Sequence, residues 1–383
     1  MGFSGVITNR TAMNRHLKKL QFFFLVLLAS VTVLGLVGCD EEGNVVDPGE
    51  DFDRAAMLQS VADGLIIPNF TRLQSSVNTL STAAERFAQT TTQENLLAVR
   101  TAWEQAVRDH QHCSAFGFGP GELLLGPYAQ VLGAFPANEA KIEENLVNPN
   151  FNLPNSFDTD VRGFYAVEYL IYGDDIAEAD LLDGFDQNRK DYLLLLVGEL
   201  VSTFNGIVEE WNTSYRQEFT ENDGTSAGSP VSLYYNAFVK DYENLKNFKL
   251  ELPAGLTAGQ QGPDGSLVEA LYSGISRDLV VEHFESSKNI YFGRTRDGNE
   301  LIGFDAYLES VVGGPELVSS TTTAIGIIDA AIGNLPQGRL SDNVGAPEVV
   351  TLRNELQNNT ANFKASMSSL LGISITFNSG DGD

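Results

Sequence analysis

Two cysteines in 383 residues, Cys39 and Cys113, leave almost nothing for oxidative cross-linking. If Cys39 is consumed in processing, Cys113 is the sole thiol and no intrachain disulfide forms, so stability has to come from packing. Histidine is scarce as well: four in all, two of them in "RDHQHCS" (108–114). Positive charge is the larger deficit. Lys and Arg number 24 against 51 Asp and Glu, a formal net charge of −27. Nucleic-acid backbones are gripped by clustered cations, so this balance argues against nucleic acid and favours cations or a basic surface as partners. HExxH, a P-loop, GxGxxG after a strand and a GxSxG elbow are all missing. So is any series of alternating strands joined by hairpin turns.

What is present begins at the N-terminus. "MNRHLKKL" (13–20) is a positive n-region, and "QFFFLVLLASVTVLGLVG" (21–38) is an apolar run of signal-peptide type. Met13 starts a more ordinary leader than Met1 does. The run ends in "LVGC" (36–39), which resembles a bacterial lipoprotein lipobox with Cys39 as the lipidated first residue of the mature chain. A membrane-spanning anchor is the rival, and the Cys followed at once by "DEEGN" favours the lipoprotein. The expectation is a leader at 1–38, an acidic tether at 39–53 and a lipid anchor in the outer membrane, facing the periplasm or the surface. The tether resembles the surface-export signal of some lipoproteins, and it also fits a plain soluble linker.

Helical periodicity dominates the rest. Leu96, Val99, Trp103, Ala106, His110 and Cys113 recur at three- and four-residue steps. Leu193, Val197, Leu200, Phe204, Val208, Trp211 and Tyr215 form a longer stripe, and Leu352, Leu356, Phe363, Met367 and Leu370 form a third. Gly/Pro/Asn clusters interrupt the pattern at 116–127, 148–158, 222–230, 252–265 and 333–347. The prediction is an all-α chain of two helical bundles, 54–180 and 181–383, ending in a short extended tail.

One carboxylate stands out. In "RGFYAVEYLIYGDD" (162–175) Glu168 is the lone acid of an otherwise apolar helix, with Tyr165 and Tyr172 on its own face. It either finds a partner elsewhere in the fold, as a buried acid satisfied from another helix, or titrates with a raised pKa as part of a cleft wall. His110, His112 and Cys113 are metal-ligand types, but residues two apart on a helix diverge, so His110 and His112 do not share an ion.

Several segments, taken together and in order from about residue 55 to the end, resemble the imelysin or imelysin-like family. They are "VADGLIIPNF" (61–70), "AVRTAWEQAVRDHQHCSAFGFGP" (98–120), "RGFYAVEYLIYG" (162–173), "VEALYSGISRDLVVEHFESSKNIYFG" (268–293) and "LGISITFNSGDGD" (371–383). The resemblance implies an envelope-bound, all-helical protein of two bundle-like domains, linked to iron through regulation or uptake. It implies iron or another metal ion as cofactor, and components of an iron-uptake transporter as partners besides the membrane. A metallopeptidase activity is ascribed to the family, with its Gly-x-His-x-x-Glu helix as the metal centre. The matching positions are Gly163, Tyr165 and Glu168, with Tyr165 standing where the family has His. Ser114 stands where the family tends to have Glu, and Glu269 opens its Glu-x-x-Tyr-Ser segment. The candidate cleft is therefore Gly163, Tyr165, Glu168, Ser114 and Glu269, with Tyr165 and Glu168 as candidate metal ligands. A phenol is a poor zinc ligand and a better one for ferric iron, so no catalytic residue is assigned. The expected function is an iron-linked binding lipoprotein without peptidase activity. Its rivals are a divergent metallopeptidase that recruits Glu269 or His283, and a protein-binding accessory of a transporter.

Overall fold

The computed structural model describes residues 51–123, 132–149 and 158–377. Cys39, the leader, most of the tether and the terminal "DGD" lie outside the described residues. The chain is all-α, and among the described residues the only β-type pairing is an isolated bridge between Arg294 and Glu300.

In chain order the helices are α1 (Arg54–Val61), α2 (Ile67–Gln89), α3 (Gln93–Gln111), α4 (Pro120–Leu123), α5 (Glu139–Val147), α6 (Gly163–Tyr172), α7 (Glu178–Asp183) and α8 (Gln187–Glu210). They continue as α9 (Arg216–Glu221), α10 (Pro230–Lys246), α11 (Ser276–Phe292), α12 (Phe304–Glu309), α13 (Gly314–Gly333), α14 (Pro347–Thr360) and α15 (Ser368–Leu371). Start signals are where local chemistry places them. Thr92 accepts from Asn95 N at 3.3 Å to cap α3, and Asp186 accepts from Arg189 N at 3.0 Å to cap α8. Pro230, Pro315 and Pro347 sit in first turns, where the missing N–H costs nothing.

Helix α2 packs on α3 and on α8, and α6 packs on α3 and α8. Helix α10 packs on α11 and α14, and α13 on α14. The α3 helix links the two groups by packing against α11 as well. Although α8 follows residue 180, it therefore shares its core with helices that precede it. The described residues cluster as one compact unit.

The first two apolar stripes are buried as their spacing requires, from Leu96 to Cys113 and from Leu193 to Tyr215. The third departs at its end: Leu371 is buried and Leu370 only partly so. Ala361–Met367 is a π-helical turn, wider than an α-turn, and it moves the inward position one residue along. Past α15 the tail lies along α10, where Asn236 donates to Ser374 O at 3.0 Å and accepts from Thr376 N at 2.8 Å.

Candidate functional site

Helix α6 is buried from Gly163 to Ile171. Its first residue explains itself. Gly163 has φ +71°, and a Cβ there would stand 1.9 Å from Leu132 O; at Gly133 a Cβ would stand 2.1 Å from Arg162 O. The two glycines let residues 132–135 cross the start of α6 in backbone contact, which only residues without a Cβ allow. That crossing sets Leu132 and Phe135 as one wall of a cavity of about 530 Å³. Its other walls come from the end of α3, from α10 with the turn that follows it, and from Glu269 and His283.

The polar end of the cavity is a connected network. Tyr165 Oη donates to Glu269 Oε1, and Gln111 Nε2 donates to the same oxygen at 3.1 Å. Lys249 Nζ lies 2.9 Å from Glu269 Oε2 and donates to Gln111 Oε1. Lys249 reaches this point because Asn247–Glu251 is a π-helical turn that extends α10 and turns the lysine inward. Beside it, Ser114 Oγ donates to Asp241 Oδ2 at 2.9 Å, and His283 Nε2 lies 2.8 Å from the same oxygen.

Electrostatics follow from burial and these contacts. Burial opposes ionisation of Glu269, but Lys249 and the Tyr165 hydroxyl outweigh it and hold the carboxyl below its usual range. Asp241 is likewise held low against burial, by His283, Lys249 and Ser114. Burial pushes the Tyr165 phenol well up, and the adjacent Glu269 charge pushes it further. Burial lowers His110, which also lines the cavity, to about 4, so its imidazole is neutral near pH 7.

Of the expected site residues, Tyr165, Ser114 and Glu269 line this cavity together, and Gly163 shapes its wall. Glu168 does not line it. The expectation that Glu168 is part of the cleft is corrected: it is 1% exposed and sits behind, where Oε1 accepts from Ser273 N and Ser273 Oγ, each at 2.7 Å. Burial raises its pKa to about 7 against the pull of those bonds. Ser273 belongs to a turn that precedes α11, which begins at Ser276. In that turn Ala270 has φ +53°, a conformation that disfavours a side chain, and Ser276 Oγ donates to Glu269 O. Glu168 thus holds the turn that carries Glu269 into the cavity.

His110 and His112 diverge as expected, His110 toward the cavity and His112 to Glu282 Oε2 at 2.8 Å. Asp241, Lys249 and Gln111 were missed by the sequence reading. Asp241 had a signal, as an acid among the buried rings of Tyr234, Tyr235, Phe238 and Tyr242; Lys249 had none, because its direction depends on the π turn.

Ser114, Asp241 and His283 invite comparison with a hydrolytic triad, but here the acid stands between serine and imidazole. No base touches the serine hydroxyl as acyl transfer requires. A metal ion fits no better. Among the described residues no group of three or more His, Cys, Asp or Glu side chains is placed to share one. Glu168 and Tyr165, the candidate pair, bond to different partners, and Tyr165 keeps its proton.

An all-helical chain with a buried polar cleft between helices is the class that fold and site define. The imelysin family profile (peptidase M75) matches residues 66–367, and the chain belongs to that family. It is similar to the "Iron-regulated protein A" of Synechococcus elongatus, at 22% identity over 245 residues, 63% of this chain and 65% of the relative. The chain thus spans a little under two thirds of that relative's length. Two solved structures share the fold. One, from Parabacteroides distasonis and assigned as an iron-regulated protein A precursor, has a TM-score of 0.70 at 19% identity, covering 83% of this chain and 95% of that one. The other, an imelysin-like protein from Psychrobacter arcticum, has a TM-score of 0.64 at 18% identity, covering 85% and 97%.

Proposed function

We propose that this protein is held in the outer membrane through a lipidated Cys39 and binds an iron-linked ligand in the Tyr165–Glu269 cleft without hydrolysing peptides. The observation that carries the reading is the state of Glu269. Its two oxygens face the Tyr165 hydroxyl, the Gln111 amide and the Lys249 ammonium, so the cleft's central acid is already engaged by the protein itself. Metal-assisted hydrolysis needs convergent imidazole and carboxylate donors, an open position for water and a free base. A carboxylate engaged in this way serves as a fixed part of a binding wall. The link to iron rests on the name of the Synechococcus relative, and iron-uptake transporter components are the partners this reading implies.

Two measurements test it. Iron limitation of the source cells should raise the abundance of the protein; unchanged abundance would remove the iron link. Incubation of the mature protein with a peptide library should leave the peptides intact. Cleavage that disappears in Glu269→Gln would establish the divergent metallopeptidase instead. The anchor is tested separately, since Cys39→Ser should move the protein to the soluble fraction, and retention in membranes would rule the lipid out.

A further inference from the structure

We propose that the ligand of this cleft is a small amphipathic carboxylate, its head held by Lys240 and Asn244 at the mouth and its apolar body laid on Phe248 and Phe135. The inference rests on the reading of the cleft as a ligand site and adds the chemical class.

The size is right, since 530 Å³ falls within the roughly 300–1,000 Å³ of small-molecule sites. The charges decide the head group. Four charged side chains line the cavity: Asp241, Glu269, Lys240 and Lys249. Glu269 is matched by Lys249 at 2.9 Å, and Asp241 has His283 at 2.8 Å and the Ser114 hydroxyl. Lys240 alone has no ion pair or hydrogen bond among the described residues, and it is exposed at the rim. A chain of net charge −27 therefore presents one unmatched cation at the mouth of its cavity. The complement is a single negative charge. A lone ammonium beside an amide suits a singly charged carboxylate; a phosphate, which lysine also binds, carries more negative charge than one ammonium matches.

The apolar body follows from α10 and its extension. Lys240 and Asn244 lie four residues apart on one face of α10, and Phe248 follows in the π turn and lines the same cavity. Phe248 is 50% exposed, a large ring held at the opening, with Phe135 across from it in the lining. A further observation points inward to a ligand. His283 is 1% exposed, its Nε2 faces Asp241, and its Nδ1 has no hydrogen-bond partner among the described residues. A buried ring nitrogen left without a partner calls for one, and a hydrogen-bonding group on the ligand would supply it.

The test uses three probes of one shape on the mature protein at pH 7: 2-naphthoate, 2-naphthylmethanol and 2-naphthylmethylammonium, followed by calorimetry. Naphthoate should bind one to one, about fivefold tighter than the alcohol, with the ammonium weakest. Lys240→Gln should bring naphthoate to the level of the alcohol and leave the alcohol within about twofold, as expected for an exposed charge contact. Phe248→Ala should weaken all three. Ammonium binding equal to naphthoate, a carboxylate preference that survives Lys240→Gln, or no binding by any probe would overturn the proposal. Its failure is separable from that of the iron link. Naphthoate binding with no response to iron limitation keeps the ligand class and removes the link; an iron response with alcohol and naphthoate bound alike does the reverse.

Discussion

Seven residues, Arg108 to Ser114, feed two charge networks that differ in kind. On one side Asp109 bonds to Arg296 and Ser76 and accepts from Gln105 Nε2 at 3.0 Å, while Arg108 pairs with Asp278 at 2.6 Å and His112 with Glu282 at 2.8 Å. On the other, His110, Gln111 and Ser114 face the cavity with Glu269, Asp241 and Lys249. The first network fastens α3 to α11 and to the loop around Arg296, and its charges close on one another. The second also closes its acids, but leaves Lys240 unmatched and His283 Nδ1 without a hydrogen bond beside open space. Burial and ion pairing alone do not mark a site; unmatched polar groups facing a cavity do.

The comparison breaks most visibly at Arg296. Arg296→Ala leaves Asp109, 1% exposed, with only neutral partners, and should cost about 4 kcal/mol of stability. Thermal unfolding should show it, while the folded variant should bind naphthoate as the parent does. A parallel loss of probe affinity would mean that the two networks are one.

Next in size is a pair of opposed pH dependences within the cavity side. Glu168 rises from 4.5 to about 7 on folding, so its contribution is fully present below pH 4.5 and is lost as pH rises through 7. His110 falls from 6.5 to about 4, so its contribution is present above pH 6.5 and is lost as pH falls through 4. Each is worth about 3 kcal/mol at full extent, and between pH 4.5 and 6.5 the two slopes oppose each other. Relative to the parent, Glu168→Gln should therefore gain stability as pH rises across this window, and His110→Gln should lose it. Denaturant titrations from pH 4.5 to 7 check both, and parallel curves for parent and variants would contradict the assignment.

The smallest effect belongs to Ser114, whose half-buried hydroxyl lies within hydrogen-bond distance of Asp241 Oδ2 and Gln111 O. Ser114→Ala should cost about 1 kcal/mol in denaturant unfolding. A cost several times larger would mean that Asp241 depends on this hydroxyl more than on His283.

These particulars show what was legible in the sequence and what was not. Helix identity and most of the buried stripes follow from apolar spacing, because the helices bury one face each. The stripe failed at Leu370 because a π turn changes the period, and nothing in the local residue types announces one. The same device hid Lys249. Tyr165, Ser114 and Glu269 were brought together by family resemblance before any geometry, and the structure sets them around one cavity. Glu168 was legible as a buried acid with a raised pKa, but its partner Ser273 lies 105 residues away, a distance that periodicity cannot bridge.

The central claim is that Lys249 and Tyr165, not a metal ion, satisfy Glu269. Calorimetric titration of the metal-stripped mature protein with Fe(II), Mn(II) and Zn(II) at pH 7 addresses it directly, with Glu269→Gln as the control. The account predicts no one-to-one binding at the cleft, and the same weak uptake in parent and variant. One tightly bound ion per chain in the parent, lost in Glu269→Gln, would contradict it.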